Sequence, residues 1–259
     1  MAALEGPGGT VRYTYDARGN LSTLTEGDAL TTYTYNALNE LVREDQAGRQ
    51  ETVLYTYDDG GNLRTKSVHA YTLGEVGPAQ KTVVYTYGNE NWKDQLTAYD
   101  GKPITYDAIG NPLSYDGWTY TWAQGRQLQS LNKGTDTLSF AYNAAGQRIE
   151  KTVNGVTTRY ILSGTQVAYE MQGNDTLHYS RDGQGGLFAL TWNEETYFYV
   201  HNLQGDVIGL LDRTGALVVR YTYDTWGKPL TVEGSLAETL GQKNPYRYRG
   251  YSYDRETGL

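Results

Sequence analysis

Short runs of the chain alternate aromatic or β-branched residues with threonine, and each run is broken by an acid or amide followed by a glycine. In the stretch Val11-Arg12-Tyr13-Thr14-Tyr15-Asp16-Ala17-Arg18-Gly19-Asn20-Leu21, a period of two puts Val11, Tyr13 and Tyr15 on one face and Arg12 and Thr14 on the other. This predicts strand, tight turn, strand, with the tyrosine face buried. Asp16 can accept hydrogen bonds from the turn backbone, and Gly19 can supply the positive φ that closes a short hairpin with a bulge. Leu21 then restarts the apolar pattern.

The unit recurs along the chain. Tyr33 and Tyr35 open a second copy, and Tyr55 and Tyr57, with Asp58 and Gly61, open a third. Later copies start at Tyr85, at Ile104 (with Tyr106, Asp107 and Gly110), and at Tyr120, Phe140, Tyr160, Tyr179 and Tyr199. Two more start at Tyr221 (with Tyr223, Asp224 and Gly227) and at Tyr246. From Tyr13 to Tyr246 these are twelve copies at a mean period of about 21 residues, the mark of an array in which each unit buries its face against its neighbours.

Departures from the pattern predict local features. Ala70 to Gln80, with Gly74, Gly77 and Pro78, reads as a longer surface loop on one rim. The fourth unit replaces Tyr-Asp by Tyr87-Gly88, so its turn should be longer and less regular. Asp116-Gly117 is a two-residue hairpin signal. The polar stretch Glu233 to Lys243 predicts a single short helix, capped by Ser235, running through Leu240 and ended by Gly241. Met1 to Gly9 reads as a disordered leader, residues 10–196 as a repeat strip, and 197–259 as a continuation with a changed motif.

Twelve hairpins make roughly 24 strands at about 4.8 Å spacing, on the order of 115 Å if flat. Open twisted sheets rarely exceed ~10 strands without curling, so the expected fold is an all-β antiparallel hairpin array curling into part of a hollow shell. Its two unsatisfied edges would favour pairing with a second copy.

Composition sharpens this picture. Tyrosine, at 25 residues, far outnumbers phenylalanine at 3, so the core is aromatic and hydroxyl-bearing and needs hydrogen-bond partners or a wet concave surface. A net charge of −8 disfavours nucleic acid, and with no cysteine there are neither disulfides nor thiolate metal sites. No stretch approaches the ~20 apolar residues needed to cross a bilayer, and the amino terminus lacks the pattern of a signal peptide.

Candidate chemistry is sparse. Asp16, Asp58, Asp59, Asp107, Asp224 and Asp254 could be paired carboxylates or calcium ligands, but each follows a strand's last aromatic residue, where closing a hairpin explains it. His69, His178 and His201 lie far apart and lack the spacing of metal ligands. No serine sits in a nucleophile elbow, and Gly183 to Gly186 lacks the Lys-Ser or Lys-Thr ending of a phosphate loop. Neither catalytic residues nor a cofactor or metal site is therefore expected. Trp92, Trp118, Trp122, Trp192 and Trp226 could stack on sugars, which makes a carbohydrate-binding or adhesive module the alternative to a scaffold.

Four ordered blocks carry a family resemblance: Tyr199, His201 and Gly205; Leu210, Asp212 and Gly215; Tyr223, Asp224, Trp226 and Gly227; and Asn244 through Leu259, with Pro245, Arg247, Gly250, Asp254, Glu256 and Gly258. With the upstream repeats they resemble the Rhs family of YD-repeat proteins and its Rhs-associated core. The resemblance implies a strip of hairpins spiralling into a shell, as in polymorphic toxins, Tc toxin components, wall-associated proteins and teneurins. It further implies a secreted or cell-surface bacterial protein whose shell holds a cargo toxin polypeptide. The ending at Gly258-Leu259 precedes the family's self-cleavage region, so the chain reads as an excerpt of something larger.

Overall fold

The computed structural model describes residues 2–6 and 9–258. It forms two compact units, Met1–Thr135 and Asp136–Leu259. In the first, thirteen strands from Ala2–Gly6 to Gln127–Lys133 form an antiparallel meander in which every strand pairs with its sequence neighbours. The second repeats the plan with ten strands, from Asp136–Tyr142 to Pro229–Glu233. Position 197, where the motif letters change, lies inside the strand Glu195–His201, which pairs directly with Leu187–Trp192.

The repeat acquires its shape at the bulge. Thr14 pairs with Thr23 but Tyr15 pairs with Leu21, so one extra residue is accommodated beside the turn. The same slip recurs at Thr34/Tyr35, Thr56/Tyr57, Thr105/Tyr106 and Thr222/Tyr223. Each bulge increases the local right-handed twist. The face opposite the tyrosines carries cross-strand hydroxyl pairs, including Thr14–Thr23, Thr56–Thr65 and Thr105–Ser114, each at 2.6 Å.

Two expectations fail on the described residues. Ala2–Gly6, within the leader expected to be disordered, is a strand, with Ala2 opposite Tyr13 and Gly6 opposite Gly9. The backbone of Gly9–Tyr15 would otherwise present an unpaired edge, and the adjoining segment satisfies it. Positions 1, 7 and 8 of that leader lie outside the described residues. The helix is also displaced: it spans Leu240–Lys243, with Thr239 at its N-cap and no role for Ser235. Leu240 is fully buried, and a Cβ on Gly241 would press on Val232, so Gly241 marks a close approach and not a helix end.

The loop after Ala70 does exist, but it is tied down. Arg43 donates to the carbonyls of Thr72 and Gly74 at 2.6 and 2.9 Å, and His69 Nδ1 lies 2.8 Å from the carbonyl of Gly77. Asp116 and Gly117 both take positive φ, 47° and 81°, as a two-residue turn between Pro112–Tyr115 and Trp118–Ala123 requires.

Candidate functional site

The repeat motif residues divide into turn-closers and clamps. Asp16 Oδ1 accepts from the backbone N–H of Arg18 and Asn20 at 2.9 and 2.8 Å. Asp58, Asp107 and Asp224 make the same pair of bonds, as do Asn36, Asn143, Asp182, Asn202 and Asp212. The Asn20 amide and backbone hold the Asp16 carboxyl below its usual range against a small opposing effect of burial, and the Asn62 backbone and side chain do the same for Asp58. These acids are oriented by the turn they close. Gly19, Gly61, Gly110 and Gly227 occupy the left-handed position of these turns at φ of 80 to 88°, and Asn39 takes that position in the second repeat at 63°.

In four of the repeats the second aromatic residue of the pair reaches back to the preceding hairpin. Tyr57 donates its hydroxyl to the Leu41 carbonyl at 2.7 Å, Tyr106 to Leu96 at 2.6 Å, and Tyr223 to Val207 at 2.6 Å. Trp122 Nε1 makes the equivalent bond to Pro112 at 2.6 Å. The first aromatic residue packs inward: Tyr13, Tyr55 and Tyr221 are buried, while Tyr33 and Tyr35 are half-buried. Tyr15 departs from the expected buried face at 49 % exposure, because only the single strand Ala2–Gly6 precedes its hairpin.

In the unit Asp136–Leu259 the tyrosine face is covered by the segment 234–258. Tyr199 donates to Asn244 Oδ1 at 2.8 Å, and Tyr246 packs edge-on against Tyr179 with ring centroids 4.9 Å apart. The Arg247 guanidinium lies over the Tyr221 ring at 4.1 Å and donates to the carbonyls of Gly241, Asn244 and Tyr246. A buried cation is tolerable here because its N–H groups meet carbonyl oxygens and an aromatic face. The far end of the segment is held by charge. Asp254 pairs with Arg148 at 2.8 Å and Lys151 at 2.9 Å, and Glu256 pairs with Lys151 at 3.0 Å. Burial would raise the Asp254 carboxyl, but these two cations outweigh it and hold it below its usual range. Asp254 is thus the hub of an ion-pair cluster and not the hairpin-closer expected of it.

Between this segment and the sheet lies a cavity of about 520 Å³, lined among others by Lys151, Tyr160, Glu170, Arg247, Asp254 and Glu256. Burial pushes the Glu170 carboxyl up to about 7, against the pull of Tyr179 and Lys151. The Tyr179 hydroxyl is buried beside that carboxyl.

Of the residues singled out from sequence, Pro245, Arg247, Asp254 and Glu256 converge on this cavity. Asp212 and Trp226 stay at exposed turns, while Gly250 and Gly258 take φ of 69° and 76° in turns of the covering segment. His201 ends its strand half-buried beside Tyr199; burial lowers its imidazole pKa against the opposing pull of Asp206. Glu170, Tyr160 and Lys151 were not foreseen. Glu170 had a readable signal, an acid in the inward phase of the strand Gln166–Gln172, directly opposite Tyr160. Among the described residues, no group of three or more His, Asp or Glu is placed to hold a metal ion.

In each unit a meander of bulged hairpins, with aromatic side chains clamping one hairpin to the one before it, defines a YD-repeat strip. The Teneurin YD-shell family matches residues 14–259, and the chain belongs to that family. It is 39% identical over 176 residues to the tRNA3(Ser)-specific nuclease WapA of Bacillus spizizenii and, at the same identity and length, to the tRNA nuclease WapA of Bacillus subtilis strain 168. Each match covers 65% of this chain and 7% of the relative. The fold is shared with a chain of the Photorhabdus luminescens Tc holotoxin pore, at a TM-score of 0.66 and 17% identity, over 96% of this chain and 14% of that one. The chain therefore spans only a small fraction of the length of the relatives it matches.

Proposed function

We propose that this chain is a non-catalytic, encapsulating part of the shell of a secreted or cell-surface Rhs-like toxin. Its tyrosine face would contact a cargo polypeptide carried by the same parent protein. The observation that carries this reading is the use of the conspicuous acids of the repeat: nine Asp or Asn side chains are committed to backbone N–H groups of turns. With those acids committed, the half-buried rings of the uncovered first unit, such as Tyr33 and Tyr35, are the surface suited to sequence-tolerant contacts. The nuclease activity in the names of the WapA relatives would, on this reading, belong to another part of such a parent.

The rival reading, carbohydrate binding, draws on exposed aromatic residues such as Trp92, Trp226 and Phe188. Both are tested by presenting the chain with an unfolded polypeptide and with a glycan array. Binding to the polypeptide with no glycan selectivity is the expected result. Glycan affinity without polypeptide binding would overturn the scaffold reading.

A further inference from the structure

Three of the carboxylates lining the cavity are matched by cations. Asp175 pairs with Lys243, and Asp254 and Glu256 pair with Lys151, all within 3.0 Å. Glu170 has no cation at ion-pair distance among the described residues. Beside it lies the Tyr179 hydroxyl, on a residue only 3% exposed, whose hydrogen bonding draws the Glu170 carboxyl pKa down without supplying a charge. A carboxyl that lines a cavity with no cation at ion-pair distance is a costly arrangement for a fold to keep. The other groups facing Glu170 are Lys151 and Arg148, whose charges Asp254 and Glu256 neutralise, and Tyr160 on the adjacent strand.

We propose that this cavity binds an organic cation, an alkylammonium or guanidinium group, with Glu170 as its anionic partner and the hydroxyl of Tyr160 as a further acceptor. An anion would meet an excess of carboxylates. A divalent metal would need about six converging oxygen ligands, and no three acids among the described residues are placed to share one. The walls suit an aliphatic stem, since Val153, Val156 and Leu177 line the cavity alongside these polar groups, and Val156 is 54% exposed. A stem lying on apolar side chains with its charged head on a carboxylate is the usual disposition of a lysine or arginine side chain. The inference goes beyond the scaffold reading and does not depend on any cargo.

The test is calorimetric titration of the intact chain with butylammonium at pH 8 and pH 6. Because the proton competes with the cation for a carboxyl titrating at about 7, affinity should be about tenfold weaker at pH 6. Glu170→Gln should lower affinity at pH 8 at least tenfold and remove the pH dependence. Equal affinity at the two pH values, or binding that survives Glu170→Gln, would overturn the proposal. If that variant does not fold, the wild-type Glu170 carboxyl can be followed by NMR: saturating butylammonium should move its titration to lower pH, and an unmoved midpoint would overturn the proposal. A lysine-containing unstructured peptide distinguishes the sources of the cation. Tighter binding than butylammonium supports the site with a polypeptide side chain as ligand, and equal binding supports it with a free amine.

Discussion

The two units run the same repeat and stabilise it differently. In Met1–Thr135 Leu41, Val53 and Tyr55 form a small cluster with half-buried tyrosines around it, Val11, Tyr13, Val83, Trp118 and Leu131 are also buried, and so, fully, is Glu44. Glu44 accepts hydrogen bonds from Tyr55 and Gln46, both at 2.6 Å. In Asp136–Leu259 the core is a continuous cluster from Leu177 and Tyr179 through Leu190, Leu210 and Val219 to Leu240 and Tyr246. The difference is the covering segment. A single layer of sheet can bury only part of its rings, so in the first unit side chain-to-backbone clamps dominate, whereas a second layer over the same face makes a conventional core.

That comparison is most sharply tested by Leu240→Ala. Leu240 is fully buried between the segment and the sheet, so truncation should cost about 2–5 kcal/mol. In native-state hydrogen exchange the loss should be confined to residues 136–258. Equal loss of protection in both units would show that they do not stand independently.

Glu170→Gln should act in the opposite direction. A carboxyl raised from its ordinary value of 4.5 to about 7 holds its proton more tightly in the folded chain than in the unfolded one. Its contribution is therefore most favourable at and below 4.5 and declines as pH rises to about 7. The substitution should stabilise the second unit by about 1–3 kcal/mol at pH 8, with little effect at pH 4, as read from denaturation midpoints. A wild-type stability that does not decline over that interval would remove the argument. Residues kept at a cost to stability are those to examine for function.

Tyr57→Phe and Tyr223→Phe remove equivalent clamps from the two units. Each should cost about 0.5–1.5 kcal/mol, with the larger loss at Tyr223, whose acceptor Val207 is fully buried so that water cannot replace the lost donor. A larger loss at Tyr57 would reverse that ranking of the two units. The smallest effect is expected from Thr56→Ala, which breaks one exposed hydroxyl pair on the opposite face and should cost about 0.2–1 kcal/mol in the same denaturation measurement.

Much of the architecture could be read from residues alone, because it is local. A period of two chooses the face, an Asp or Asn five residues before the next strand closes the turn, and a glycine or asparagine at positive φ permits it. These interactions span fewer than ten residues and repeat, so each copy supports the reading of the others. The expectations that failed involve contacts over longer distances. Asp254 looks like another turn acid in its own stretch, yet its partners Arg148 and Lys151 are more than a hundred residues away. Ser235 has the character of a helix cap, but burial of Leu240 decided where the helix forms.

By itself the sequence determined the hairpins, their order, their turns and the face each aromatic residue takes, since these follow from backbone geometry within one unit. Only the tertiary structure decided which tyrosines are covered, which acids meet a cation, and that Glu170 is left without one beside a cavity. Burial and charge compensation depend on what packs against a residue from distant parts of the chain, and no spacing along the sequence encodes that.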